Sequence, residues 1–195
     1  DIFDEGYLAK IDKIKLPHTK IKLLQQLLAR AIAEFKKTNQ IKGVDFSKKF
    51  QALVDRYNER KEDDVLVSSV VNDLSDDIIK HMLQIMDELK AEMVSFKGMG
   101  ISFEEKAFYD ILLAISIRYD FSYSEDKLIA LAKVIKDIVD DKAQYTDWNL
   151  RDDIKASLKV EIILALARHG YPPVVNDEVF KDILAQAENF KKHQG

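Results

Sequence analysis

The sequence predicts an all-α protein, an irregular multi-helix bundle of about seven helices with no sheet. Apolar residues recur at spacings of three and four along every long segment, as on one face of a helix. Glycine and proline are scarce, 6 and 3 among 195 residues, and fall at breaks in this pattern. No segment shows sustained alternation or an Asn-Gly hairpin turn. The length fits one helical domain over 1–195, or two lobes over 1–97 and 101–195.

Three helices are predicted in the first half of the chain. The first follows Pro17, and its apolar stripe is Ile21, Leu24, Leu28, Ala31, Ile32 and Phe35. Gly43 is expected to close the next turn, so that a second helix begins near Asp45. The charged residues 59–64 either continue this helix or form a connector. The third helix is predicted from about Ser75 to just before Gly98.

Capping signals mark the predicted helices of the second half. Ser102 and Glu105 have the spacing of a capping box, and Ser124 precedes an acidic first turn. Asn149 is expected to cap a further helix. The predicted buried stripe of that helix is Leu150, Ile154, Leu158, Ile162, Ala165 and Leu166.

The end of this helix is fixed by turn residues. Gly170 favours termination, and Pro172 and Pro173 forbid continuation. A last helix is predicted from about Asn176 to Lys192.

Composition excludes several classes of protein. The absence of cysteine removes disulfides, thiolate zinc sites and cysteine nucleophiles, and it suits a reducing cytoplasm. The apolar runs are too short to cross a bilayer, so no membrane partner is expected. The chain starts at Asp1 without a signal peptide, from which we expect a fragment of a longer polypeptide.

No motif in the sequence predicts a catalytic centre, a bound cofactor or a metal site. The segment 96–100, Phe-Lys-Gly-Met-Gly, lacks the length and the Ser/Thr of a phosphate-binding loop. The four histidines are scattered, and Asp77 with His81 is interpreted as a surface pair. The recurrent acidic pairs favour helix starts rather than a shared cavity.

Charge is distributed unevenly. Residues 10–61 contain 14 Lys and Arg against 5 Asp and Glu. This excess of positive charge predicts contact with nucleic acid or with an acidic partner surface. The alternative is that these residues are simply solvated lysines and arginines on helix surfaces. The candidate phosphate contacts are Lys36, Lys37, Lys42, Lys48, Lys49, Arg56, Arg60 and Lys61.

A second candidate surface combines aromatic residues and arginines around one helix. Its proposed partner-docking residues are Trp148, Arg151, Arg168, Tyr171 and Pro172. Such residues form binding hot spots. Structural roles are the alternative, with Trp148 packing before the helix cap and Tyr171 packing back on the last turn.

Residues 147–173, with Asp-Trp, Arg and Gly-Tyr-Pro-Pro in order, resemble the C-terminal helical region of the type I restriction enzyme R subunit. The segments 101–110, 43–50 and 55–60 resemble other parts of that region, so the resemblance covers nearly the whole chain. It implies a parent chain that uses ATP and Mg to translocate and cleave DNA. The motifs of those nuclease and motor domains are absent from this sequence.

The resemblance further implies that this region docks the R subunit onto a methyltransferase core of modification and specificity subunits, with DNA reached through the parent complex. The alternative function is a helical DNA-contacting domain that uses the basic 10–61 segment. An all-α enzyme is a third hypothesis, but it would need a convergent set of perturbed groups that the sequence does not offer.

Overall fold

The computed structural model describes residues 3–63, 68–142, 147, 150–172 and 178–193, with the backbone alone for 60–63 and 68–73. The described residues form eight α-helices and no strand, which confirms the all-α class. The helices are α1 (Glu5–Asp12), α2 (Pro17–Thr38), α3 (Gln40–Asp63), α4 (Ser68–Val94), α5 (Phe103–Arg118), α6 (Glu125–Lys142), α7 (Asp152–Arg168) and α8 (Glu178–Lys192). None of these is long and apolar enough to span a membrane.

The helix count exceeds the predicted seven because the sequence analysis missed α1. This helix of eight residues starts at an N-cap, Asp4, whose Oδ1 accepts a hydrogen bond from the Tyr7 amide at 2.8 Å. Only Ile11 is buried in it. A helix with so short an apolar stripe gives little periodic signal.

The chain divides into two compact units. Unit 1 comprises 1–35 and 43–93, and unit 2 comprises 36–42 and 94–195. In unit 1 the predicted stripe of α2 is fully buried. Phe35 meets Phe46 of α3 edge to face, with 5.8 Å between ring centroids, a favoured aromatic geometry.

The start of α3 corrects the expectation for Gly43. The helix begins at Gln40, so Gly43 is buried inside it and does not close a turn. Asn39 separates α2 from α3, and its Oδ1 accepts from the Lys42 amide at 3.2 Å, as an N-cap side chain does. The charged residues after 58 continue α3 to Asp63.

Unit 2 contains one apolar core to which α5, α6, α7 and α8 contribute. α5 packs against α6 and α8, and α6 packs against α7. The predicted capping box is confirmed at the start of α5, where the Ser102 hydroxyl accepts from the Glu105 amide and the Glu105 carboxylate accepts from the Ser102 amide. At the end of α7, Gly170 adopts a φ of 63°, which confirms the predicted stop.

The segment 36–42 is held in unit 2 by amide side chains of α8. Buried Gln186 donates to the Thr38 carbonyl at 2.8 Å and accepts from the Gln40 amide at 2.9 Å. Asn189 donates to the Lys36 carbonyl at 3.0 Å. These bonds satisfy backbone groups that the break between α2 and α3 leaves without helical partners.

Replacing Gln186 with alanine is expected to lower the free energy of unfolding by roughly 2 kcal/mol, because two hydrogen bonds are lost at a buried site. Hydrogen exchange should show faster exchange at the Gln40 amide. Glu188→Ala, on the exposed side of α8, is the matched control. Unchanged exchange at Gln40 in the Gln186 variant would show that this side chain does not hold the segment.

Candidate functional site

α7 is apolar on two sides. Its inward side is the buried stripe Ile154, Leu158, Ile162, Ala165 and Leu166. Its outward side carries a second apolar stripe at helical spacing, here called the α7 face: Ala156, Val160, Ile163, Leu164 and Ala167. A surface helix of a globular protein usually presents polar residues on the side away from the core. The α7 face therefore has the composition of a contact surface.

Exposure supports this interpretation. Val160 is 55% exposed and Leu164 is 47% exposed. Leu150, predicted to be buried, is 82% exposed just before α7, which corrects that expectation. The physical reason is that α7 begins only at Asp152, so Leu150 lies outside the helical register of the stripe. Three of the seven large exposed apolar side chains of the described residues thus lie within 150–164. Val160 and Leu164 are one turn apart on α7, and neighbouring exposed apolar side chains of this kind mark interaction sites.

Two of the three acidic residues of α7 form ion pairs with basic residues of unit 2. Glu161 forms an ion pair with Lys142 of α6 at 2.7 Å. Asp153 forms one with Arg151 at 2.7 Å, and hydrogen bonding from Arg151 lowers the pKa of the Asp153 carboxyl. Among the described residues, Lys159 and Arg168 have no such acidic partner. The edges of the α7 face are therefore left with a net positive charge.

The predicted docking residues do not converge on one spot. Arg151 is the N-cap residue of α7 but provides no side-chain cap, and Arg168 lies exposed in the last turn. Seventeen helical steps separate them, which is roughly 25 Å. Trp148 and the predicted cap Asn149 lie outside the described residues. The two arginines thus lie at opposite ends of the helix that carries the α7 face.

Tyr171 is a packing residue, which corrects its assignment to a docking surface. It is 2% exposed and donates a hydrogen bond to the Leu112 carbonyl of α5 at 2.6 Å. Phe121 and Tyr123 meet its ring edge to face, at centroid distances of 5.4 and 5.2 Å. Burial raises the pKa of its phenol. Pro172, joined to it by a cis peptide, is half-buried.

Tyr171→Phe is expected to lower the free energy of unfolding by about 1 kcal/mol, because the Leu112 carbonyl loses a buried donor while the ring packing remains. Chemical denaturation of the variant and the parent measures this difference. Tyr119→Phe, at a half-buried position near the end of α5, serves as the control. Equal stability of the Tyr171 variant and the parent would contradict a structural role for this hydroxyl.

A buried ion pair lies elsewhere in unit 2. Lys106 Nζ is 2.5 Å from Asp110 Oδ1, one turn along α5, and Asn39 donates to Asp110 Oδ2 at 2.8 Å. Burial raises the pKa of the Asp110 carboxyl, and Lys106, Asn39 and Lys42 act in the opposite direction. This pair was not predicted from the sequence, although Lys106 and Asp110 have the i, i+4 spacing of a helical ion pair. Because both side chains are buried by packing and by segment 36–42, the pair holds structure rather than offering a reactive group.

The candidate phosphate contacts are divided between the two units. Lys36, Lys37 and Lys42 belong to unit 2, whereas Lys48, Lys49 and Arg56 belong to unit 1. Arg60 and Lys61 lie in the part of α3 whose side chains are not described.

Two of these bases have acidic partners on α4. Arg56 pairs with Asp77 at 2.6 Å, and Lys49 pairs with Glu88 at 3.3 Å. Both pairs are partly exposed, so each contributes little stability. Each ion pair nevertheless neutralises a positive charge that could otherwise contact a phosphate. Lys48 is exposed. The local electrostatics of unit 1 are thus more balanced than the charge count of 10–61 indicates.

The described residues contain no group of three or more His, Asp or Glu placed to hold a metal ion. The Asp77–His81 pair lies on α4, with His81 Nδ1 2.7 Å from the Asp77 carbonyl and 3.5 Å from its carboxylate. Asp77 is also the partner of Arg56. These contacts are those of a partly exposed pair on the surface of unit 1.

Comparison with known proteins places the chain in a family. The family model described as "Type I restriction enzyme HindI endonuclease subunit-like, C-terminal" matches residues 1–193. The chain belongs to this family, the C-terminal part of a type I restriction enzyme endonuclease (R) subunit.

The chain spans only a small part of the length of a relative that it matches. The chain is similar to the type I restriction enzyme HindI endonuclease subunit of Haemophilus influenzae, with 21% identity over 189 residues. The aligned region covers 96% of this chain and 16% of that protein. No solved structure matches the chain.

Proposed function

We propose that this helical domain docks the DNA-translocating and cleaving R subunit of a type I restriction enzyme onto its methyltransferase core, the modification and specificity subunits. The single observation that carries the proposal is the exposed apolar face of α7. Membership of the R-subunit family supports it, because such a subunit acts within a multi-subunit enzyme. The domain contributes binding, and the ATP- and Mg-dependent chemistry belongs to the rest of the parent chain.

The α7 face exposes apolar surface that a protein partner could bury. Burying Val160, Ile163 and Leu164 against a partner would remove apolar surface from water, at roughly 25 cal/mol per Å². Arg168 at the end of the face and Arg151 beside its start would supply polar contacts at the rim, as in interfaces generally. A face with apolar residues along its centre and charges at its margins fits a protein partner better than a phosphate backbone.

DNA contact through the 10–61 segment is the weaker hypothesis. Binding to DNA phosphates requires Lys and Arg side chains on one surface that are not already paired with acidic residues. Arg56 and Lys49 instead pair with acids of α4. A DNA-binding function of this domain would appear as duplex binding that weakens steeply between low and moderate salt.

A competition experiment tests the proposed docking. The isolated domain is added in excess to the cognate methyltransferase core before the full-length R subunit. Occupation of the docking surface is expected to reduce the amount of R subunit that co-purifies with the core, in proportion to the domain added. A matched assay with duplex DNA alone follows binding in the absence of the core. If a large excess of the domain does not reduce the amount of R subunit bound to the core, and the domain binds duplex DNA in a salt-sensitive way, DNA contact rather than docking is its function.

A further inference from the structure

The α7 face has a definite size and outline. From Ala156 to Ala167 it extends over eleven helical steps, which is roughly 16 Å or three turns. Small residues lie at both ends and the bulky Val160, Ile163 and Leu164 lie between them. Ile163 and Leu164 lie side by side across the stripe, which gives it the width of the apolar stripe of an amphipathic helix. Because the stripe also follows one helix, its shape complements a single partner helix.

The charges at its edges define the chemistry of that partner. Lys155 and Lys159 lie one turn apart along one edge, and Arg168 lies at the C-terminal end of the other. Among the described residues no ion pair involves these three bases, whereas Asp153 and Glu161 are each paired with a base. Asp152 lies in the first turn, where the helix dipole favours it.

From this outline and charge we infer that the α7 face binds an amphipathic helix whose apolar stripe is bordered by acidic residues. The inference rests on the proposed function, because it assigns that helix to the methyltransferase core. A second copy of this chain would bring like charges together at Lys159 and is disfavoured. DNA is disfavoured because Val160 and Leu164 would lie against phosphates.

Carbodiimide cross-linking of the assembled complex tests the inference directly. This reagent joins a lysine amine to a carboxylate only when the two are in contact. The full chain and its cognate core are cross-linked and digested, and the joined peptides are identified by mass spectrometry. We expect Lys155 and Lys159 to couple to Asp or Glu side chains of one helical segment of the core. A complex in which neither lysine couples to the core would overturn the inference.

Charge reversal supplies an independent measurement. Lys155→Glu with Lys159→Glu is expected to reduce the association rate constant with the core about tenfold at low salt, since opposite charges steer encounter. Lys80→Glu with Lys133→Glu makes the same change in net charge at exposed positions of α4 and α6. The control should retain the parent rate.

The outcomes separate the inference from the proposed function. If the unsubstituted chain binds the core and both charge-reversal variants bind at the same rate, the docking function stands and the inference of an acid-bordered partner helix is wrong. If the unsubstituted chain does not bind the core at all, both the docking function and the inference are wrong. Circular dichroism and thermal unfolding confirm that each variant is folded before its rate is compared.

Discussion

Replacing Val160 and Leu164 together by glutamate is expected to weaken binding to the methyltransferase core at least 100-fold, or about 2.8 kcal/mol. Both side chains are about half exposed and lie near the middle of the α7 face. Their contact with a partner would be lost, and two carboxylates would be moved from water into an apolar interface, which is unfavourable.

The same variant is expected to remain folded. Glutamate has a better helix propensity than valine. Glutamates at 160 and 164 repel each other one turn apart, but a glutamate at 164 also precedes Arg168 by four residues, in the favourable order for a helical pair, so the two effects are similar in size and opposite in sign. Ile117→Glu is the control, because this residue of α5 is 72% exposed and lies off α7. Isothermal titration of the core with each variant gives the affinities. Parent affinity in the α7 variant would remove this face from the docking surface.

Removing the carboxylate of Asp110 is expected to produce the largest loss of stability, about 3–5 kcal/mol for Asp110→Ala. Lys106 would remain charged and buried without its closest acidic partner, and Asn39 would lose its acceptor. Denaturant unfolding followed by circular dichroism measures the change.

The double variant Lys106→Met, Asp110→Leu is the matched control for this pair. Burial already disfavours the ionised carboxyl, as its raised pKa indicates. Replacing both charges by apolar side chains should therefore recover the part of the loss that comes from the unpaired Lys106, whereas Asn39 still lacks its acceptor. A double variant as unstable as Asp110→Ala would mean that the site requires the ion pair itself.

The helices could be predicted from the sequence because their cores are periodic and their ends carry capping chemistry. The stripe of α2 and the Ser102 capping box are confirmed because each depends on residues close in sequence. The start of α3 was placed too late because Gly43 was interpreted as a turn, whereas Asn39 is the side chain that caps the helix. Both residue types occur at helix ends, and tertiary packing around 36–42 decides between them.

The candidate site was only partly predictable. Arg151 and Arg168 were correctly associated with one helix. For the apolar residues between them, however, the sequence analysis predicted only one stripe, the buried one. The signal that could have revealed the α7 face is the second stripe, Val160, Ile163 and Leu164, on a helix already supplied with a buried one. For Tyr171 the sequence left a docking role and a structural role open, because its partners, Leu112 and Phe121, are some 50 or more residues away in sequence.

The most direct test of the docking function is size-exclusion chromatography with light scattering of the parent domain and its cognate methyltransferase core, mixed without DNA. We expect a co-eluting complex at moderate salt, with a mass equal to the core plus one or more copies of the domain. Separate elution of domain and core, with the domain instead binding duplex DNA at low salt, would contradict it.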